Sequence, residues 1–153
     1  MPSDGVATVK GIVERFSLTT WLLFGGLVLA VIATFFPYAT VTAVGLLSID
    51  VSTNGAAKLY VFLLVGIAAA LAWPALSGSQ VAVWRLIGLS IVVCVLGALM
   101  LIWFHDASSS SDDDGVNVSP AVGLLLYGVA VIIIVVGVVR LWMLRSQTQK
   151  QTY

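Results

Sequence analysis

Charge is what this chain lacks most. Asp, Glu, Lys and Arg make up only 9% of its 153 residues, and hydrophobic residues make up 60%; soluble domains carry roughly 25% and 45–50%. So few charged groups cannot clothe a water-soluble fold, and the expected solvent is mostly lipid. The formal net charge is zero, which removes the basic surface a nucleic-acid binder uses to displace counterions. Cysteine is nearly absent. The single Cys94 lies in an apolar run, so neither an intrachain disulfide nor the cysteine pairs of quinone-linked disulfide enzymes can form. His105 is the only histidine, which excludes haem held by two histidines and leaves zinc and serine-hydrolase chemistry without a constellation. The long apolar stretches contain no acid or base, whereas ion- or proton-coupled transporters keep a titrating group on the path. No Gly-rich phosphate loop is present either. The chain is therefore expected not to be an enzyme: no catalytic, cofactor-binding or metal residue is assigned, and no cofactor is expected.

What is present is apolar length. A helix needs roughly 17–25 mostly apolar residues to cross a bilayer. Four runs qualify: about Leu18 to Phe36, Leu59 to Leu76, Leu86 to Phe104, and Pro120 to Val139. None has the alternation of barrel strands, and open sheets cannot span lipid. The expected fold is an all-α membrane protein, a four-transmembrane-helix bundle. Its domain spans residues 18–144, between an N-terminal interfacial segment (1–17) and a basic tail (145–153). Trp21, Trp73, Trp84, Trp103 and Trp142 all fall near span ends, where amphipathic rings anchor in the headgroup layer.

Orientation follows from the cations. Lys10, Arg15, Arg85, Arg140, Arg145 and Lys150 lie in the two ends and the second loop, against Lys58 alone in the first and third loops. The N- and C-termini are therefore expected in the cytoplasm. Val41-Thr42-Ala43 resembles a signal-peptide cleavage site, but the preceding run is long for one and Pro37 intervenes, so a retained first span is expected. Before that span, Val6, Val9, Ile12, Val13 and Phe16 recur at helical spacing, as in a helix lying in the membrane interface.

The loops differ from one another. Thr40–Val44 and Leu47–Ser52 are rich in β-branched residues, with Gly45 between them and Asn54-Gly55 after them. They predict a short β-hairpin in the first extracytoplasmic loop, resting as a lid on its own bundle or docking another chain. The third loop, Asp106 to Ser119, holds a serine run and Asp112, Asp113 and Asp114; this composition predicts a mobile, solvated loop rather than a cation site. Asn117-Val118-Ser119 is a glycosylation sequon weakened by Pro120.

Lipid gives helices no hydrophobic reason to associate, so small residues mark packing faces. Gly26, Ala30 and Thr34 recur every four residues in the first span, Gly66 and Ala70 in the second, and Ser90, Cys94 and Ala98 in the third. The fourth span is nearly all valine and isoleucine from Val129 to Val139, which predicts the span with most lipid contact or a face reserved for a partner. Pro74 is expected to bend or end the second helix.

Four spans, inward ends and a β-rich first loop resemble the claudin-type topology, without that family's tryptophan motif or paired loop cysteines. The Phe36-Pro37-Tyr38 exit, the β-like loop and the entry from Val118 through Pro120 and Gly123 to Gly128 resemble small uncharacterised tetraspan proteins of bacteria and archaea. That resemblance implies the four-helix fold and no particular activity. The expected role is a non-catalytic membrane scaffold or accessory subunit, acting by helix packing and outer-loop contacts with a membrane-protein partner or in a homo-oligomer. The alternative is a small oligomeric channel or carrier for an apolar or uncharged solute. An envelope sensor using the acidic loop is a third.

Overall fold

The computed structural model describes residues 18–43, 47–51, 54–77, 79–109 and 116–150. Within them the order is α1 (Leu18–Ala33), β1 (Ala39–Ala43), β2 (Leu47–Val51), α2 (Gly55–Leu76), α3 (Val83–Ser109), β3 (Val116–Pro120) and α4 (Val122–Lys150). The anticipated interfacial segment and Asp112 to Asp114 lie outside the described residues.

Local chemistry sets the helix ends. α1 stops at Ala33 rather than Phe36 because the amides of Thr34, Phe35 and Phe36 donate to the carbonyls of Val31, Ile32 and Ala33. These bonds reach back three residues and tighten the last turn before Pro37. Thr34 Oγ1 also donates to the Val31 carbonyl, at 2.7 Å. α2 starts four residues earlier than its apolar run, because the Asn54 side chain accepts from the amide of Ala57 at 2.8 Å and caps the helix. Pro74 lies in its last turn, where the Pro74 carbonyl accepts from the amide and hydroxyl of Ser79 and the hydroxyl of Ser77. α4 runs unbroken through Arg145 to Lys150, so the described part of the basic tail continues the last helix.

At 1.5 Å per residue the helices measure about 24, 33, 40 and 44 Å in chain order, against about 30 Å of bilayer hydrocarbon. α2, α3 and residues Val122–Gln147 of α4 are long and apolar enough to cross a membrane; α1 is apolar but shorter. Consecutive helices are neighbours, and α1 closes the ring by packing along α4 in the most extensive contact in the molecule. This is an antiparallel up-and-down arrangement. The shared core contains Leu23 and Leu27 of α1, Val61 and Ala68 of α2, Leu89 and Leu96 of α3, and Ala130 and Ile134 of α4.

The expectation that the fourth span has the most lipid contact is overturned. Half of the residues in its most apolar window are buried, against 17% in α2 and 28% in α3. α4 contacts both α1 and α3, and Ala130 and Gly137 let α1 approach closely.

β1 and β2 form the anticipated hairpin, with Thr40 opposite Asp50 and Val41 opposite Ile49. The described ends of the third loop are regular, not the mobile loop its composition implied. α3 continues to Ser109, and β3 pairs antiparallel with β1, setting Thr40 opposite Ser119 and Ala39 opposite Pro120. The sheet order is β2-β1-β3. Pro120 is tolerated because it ends an edge strand. Ala39 is buried with Ala107 and Leu124, against Tyr38 and Trp103, so the sheet caps one end of the bundle.

Candidate interaction surfaces

The small residues of α1 sit where the spacing argument puts them. Gly26, Ala30 and Thr34 are all buried. A methyl group on Gly26 would lie 2.6 Å from the Ile134 side chain and 3.2 Å from the Ala130 carbonyl oxygen; one on Gly137 would lie 2.8 Å from the Leu23 side chain. Each helix thus contributes a glycine opposite a large residue of the other. Gly123 makes a third close approach: its added methyl would lie 2.5 Å from the Pro37 carbonyl oxygen, and its amide donates to that oxygen at 3.0 Å.

The other small-residue stripes lie outside the core, apart from Ser90. Gly66 and Ala70 of α2 are exposed, and an added methyl on Gly66 meets nothing within 4 Å. Cys94 and Ala98 of α3 are exposed as well, while Ser90 is half-buried and donates to the Leu86 carbonyl. The faces these helices bury are others: Val61, Val65, Ala68 and Ala72 on α2, and Leu89, Val92, Val93 and Leu96 on α3. Spacing in the sequence identified the stripes but not the direction they point.

Trp21, Trp73, Trp84 and Trp142 are exposed near helix ends. Trp103 departs from the anchor pattern. It packs into the core beneath the sheet, its ring 5.6 Å from that of Tyr127. The buried Tyr127 hydroxyl donates to the Leu96 carbonyl at 3.4 Å. Thr34, Tyr38, Trp103, Gly123 and Tyr127 help line a cavity of about 10 Å³, the size of one water.

At the sheet end, β2 is an open edge. Residues opposite each other on paired strands share a face, so Leu47 and Ile49 look the same way as Ala39 and Val41. Ala39 is covered by the bundle, whereas Leu47 and Ile49 are 67% and 64% exposed: the apolar face of the sheet overhangs the helices. The opposite face is polar, with Thr40 Oγ1 donating to Asp50 at 3.1 Å.

At the far end, α4 is tied to the α2–α3 connection and to α3. Arg145 donates to the Val81 carbonyl, and Trp142 Nε1 donates to Ser90 Oγ at 3.2 Å. Arg85 lies over the Trp84 ring, 5.0 Å from its centroid, a cation–π contact. Beside them, Thr19 of α1 and Arg140, Met143, Leu144 and Gln147 of α4 line an open cleft of about 270 Å³.

No family model matches the chain, and neither the curated proteins nor the solved structures contain a match. The class therefore rests on the molecule itself. Among the described residues it is mostly helical, with four helices, three of them long and apolar enough to cross a membrane, and a small three-stranded sheet at one end.

Proposed function

We propose that the protein is an integral membrane protein of four spans and acts as a non-catalytic scaffold or accessory subunit, binding a neighbouring membrane protein through its sheet. α1 counts as the fourth span because its buried face, Leu23, Leu27 and Ala30, runs along α4 in the core. Its outer side carries the exposed Trp21, Val28 and Ile32, which suit lipid. Arg85, Arg140, Arg145 and Lys150 cluster at the far end and Lys58 stands at the sheet end. That asymmetry favours a cytoplasmic far end, with both termini inside and the sheet outside.

The observation that carries the scaffold role is the overhang of β2. An open strand edge with two exposed aliphatic side chains on one face invites pairing with another chain. The outward Gly66, Ala70 and Ala98 add surfaces that admit a partner helix closely. The bundle centre is filled by Leu23, Leu89, Leu96 and Ile134, which disfavours a path for solute through one copy.

Extraction from native membranes in mild detergent, followed by mass measurement of the intact particle, tests this reading. The expected particle contains a second polypeptide and loses it on Ile49→Lys. A particle holding only one copy of the chain overturns the proposal. Oxidative cross-linking of the outward Cys94 separates a partner that is a second copy from one that is not.

A further inference from the structure

We propose that the cleft at the far end of the bundle is a binding site for an anionic phosphate group, supplied by the headgroup of a membrane lipid. Arg140, Met143, Leu144 and Gln147 stand at positions i, i+3, i+4 and i+7 of α4 and so form one stripe along the helix. Across the cleft, Thr19 belongs to the first turn of α1. Arg140 brings a guanidinium fork to the phosphate, and the exposed Val136, one turn deeper on the same side of α4, faces the first acyl carbons.

Charge argues for an anion. The acids among the described residues, Asp50 and Asp106, lie at the sheet end, about a full helix length from Arg140. Arg140 makes no ion pair with a described residue, whereas Arg145 is engaged by the Val81 carbonyl and Arg85 by the Trp84 ring. Depth argues for a lipid. Arg140 is the first cation after the apolar run of α4, and Trp142 lies two residues beyond it, which puts the guanidinium at headgroup level. Arginine recognises a phosphate with two parallel donors. The cleft volume of about 270 Å³ exceeds what a phosphate alone fills and leaves room for the adjoining glycerol.

This inference rests on the reading of α4 as a membrane span. The test is native mass spectrometry of the full chain in detergent, titrated separately with phosphatidylglycerol and phosphatidylcholine. The expected result is preferential retention of one phosphatidylglycerol, about tenfold weaker in Arg140→Gln and unchanged in Arg85→Gln, which removes a cation from the same end. Arg140→Lys is expected to restore only part of the binding. Millimolar inorganic phosphate that displaces the lipid, and itself binds only when Arg140 is present, reassigns the site to free phosphate. Equal retention of the two lipids, or retention indifferent to Arg140→Gln, overturns the site. If the chain stays soluble when detergent is withdrawn, the membrane reading fails instead, and the two failures are separable.

Discussion

Gly26 of α1 and Ile134 of α4 are in such close apposition that one added carbon on the glycine would stand 2.6 Å from the isoleucine. The contact joins the first and last helices of the chain, and the Ala130 carbonyl beneath it leaves little room to yield. Its neighbour Gly25 faces open space. Gly26→Ala is therefore expected to destabilise the fold by roughly 1–3 kcal/mol. Gly25→Ala is expected to be neutral, or to stabilise by up to about 1 kcal/mol through helix propensity. Thermal unfolding of the two variants in the same detergent checks the contrast, and equal melting temperatures refute the packing.

Gly123 tests how the sheet is seated. The atoms nearest an added methyl are the Pro37 and Phe36 carbonyls, which are backbone and cannot rotate aside. Gly123→Ala should push the α1–β1 connection off the start of α4. The amide of Gly123, bonded to Pro37, and that of Ala121, bonded to the Tyr38 carbonyl at 2.9 Å, should then lose hydrogen-exchange protection. Protection at the far end of α4 should persist.

Tyr127 separates packing from hydrogen bonding. Its hydroxyl bond to Leu96 is long at 3.4 Å, and polar bonds between helices in a membrane average only about 0.6 kcal/mol. Its ring packs on Trp103 in the core. Tyr127→Phe should cost less than about 1 kcal/mol, whereas Tyr127→Ala should cost roughly 3–5 kcal/mol through the cavity it leaves. Unfolding in denaturing detergent measures both.

These expectations draw on contacts that were legible in the sequence to different degrees. The helices were readable because apolar length is a local property, and the α1 stripe of Gly26, Ala30 and Thr34 because small residues every four positions fall on one face. The α2 and α3 stripes follow the same rule yet point outward. Which face a helix buries depends on partners far away in the chain, and an apolar helix in lipid carries no polar side to betray it. β3 was hidden for a similar reason. Val116 to Pro120 is five residues beside a serine and aspartate run, and its strand character comes from pairing with β1 more than seventy positions earlier in the chain. The Arg140 cleft needed the fold outright, because it joins the first turn of α1 to the last turns of α4.

The overhanging edge of β2 yields the prediction closest to function. Ile49 is exposed on the apolar face of the sheet, and its backbone pairs with Val41 through the ladder. Replacing it with lysine leaves that ladder intact and removes nothing from the core, so the melting temperature of the isolated chain should move by no more than a surface substitution allows, about ±0.5 kcal/mol in stability. A partner seated on this face would have to bury the new ammonium, and association should weaken by at least tenfold. Asp50→Lys is the matched control, because Asp50 is exposed on the opposite, polar face and changes charge more strongly. Affinity capture of wild type and both variants from the same membranes reads the difference. Loss with Ile49→Lys alone assigns the apolar face to the partner; equal loss with both points to charge; and undiminished capture with Ile49→Lys removes β2 from the interface.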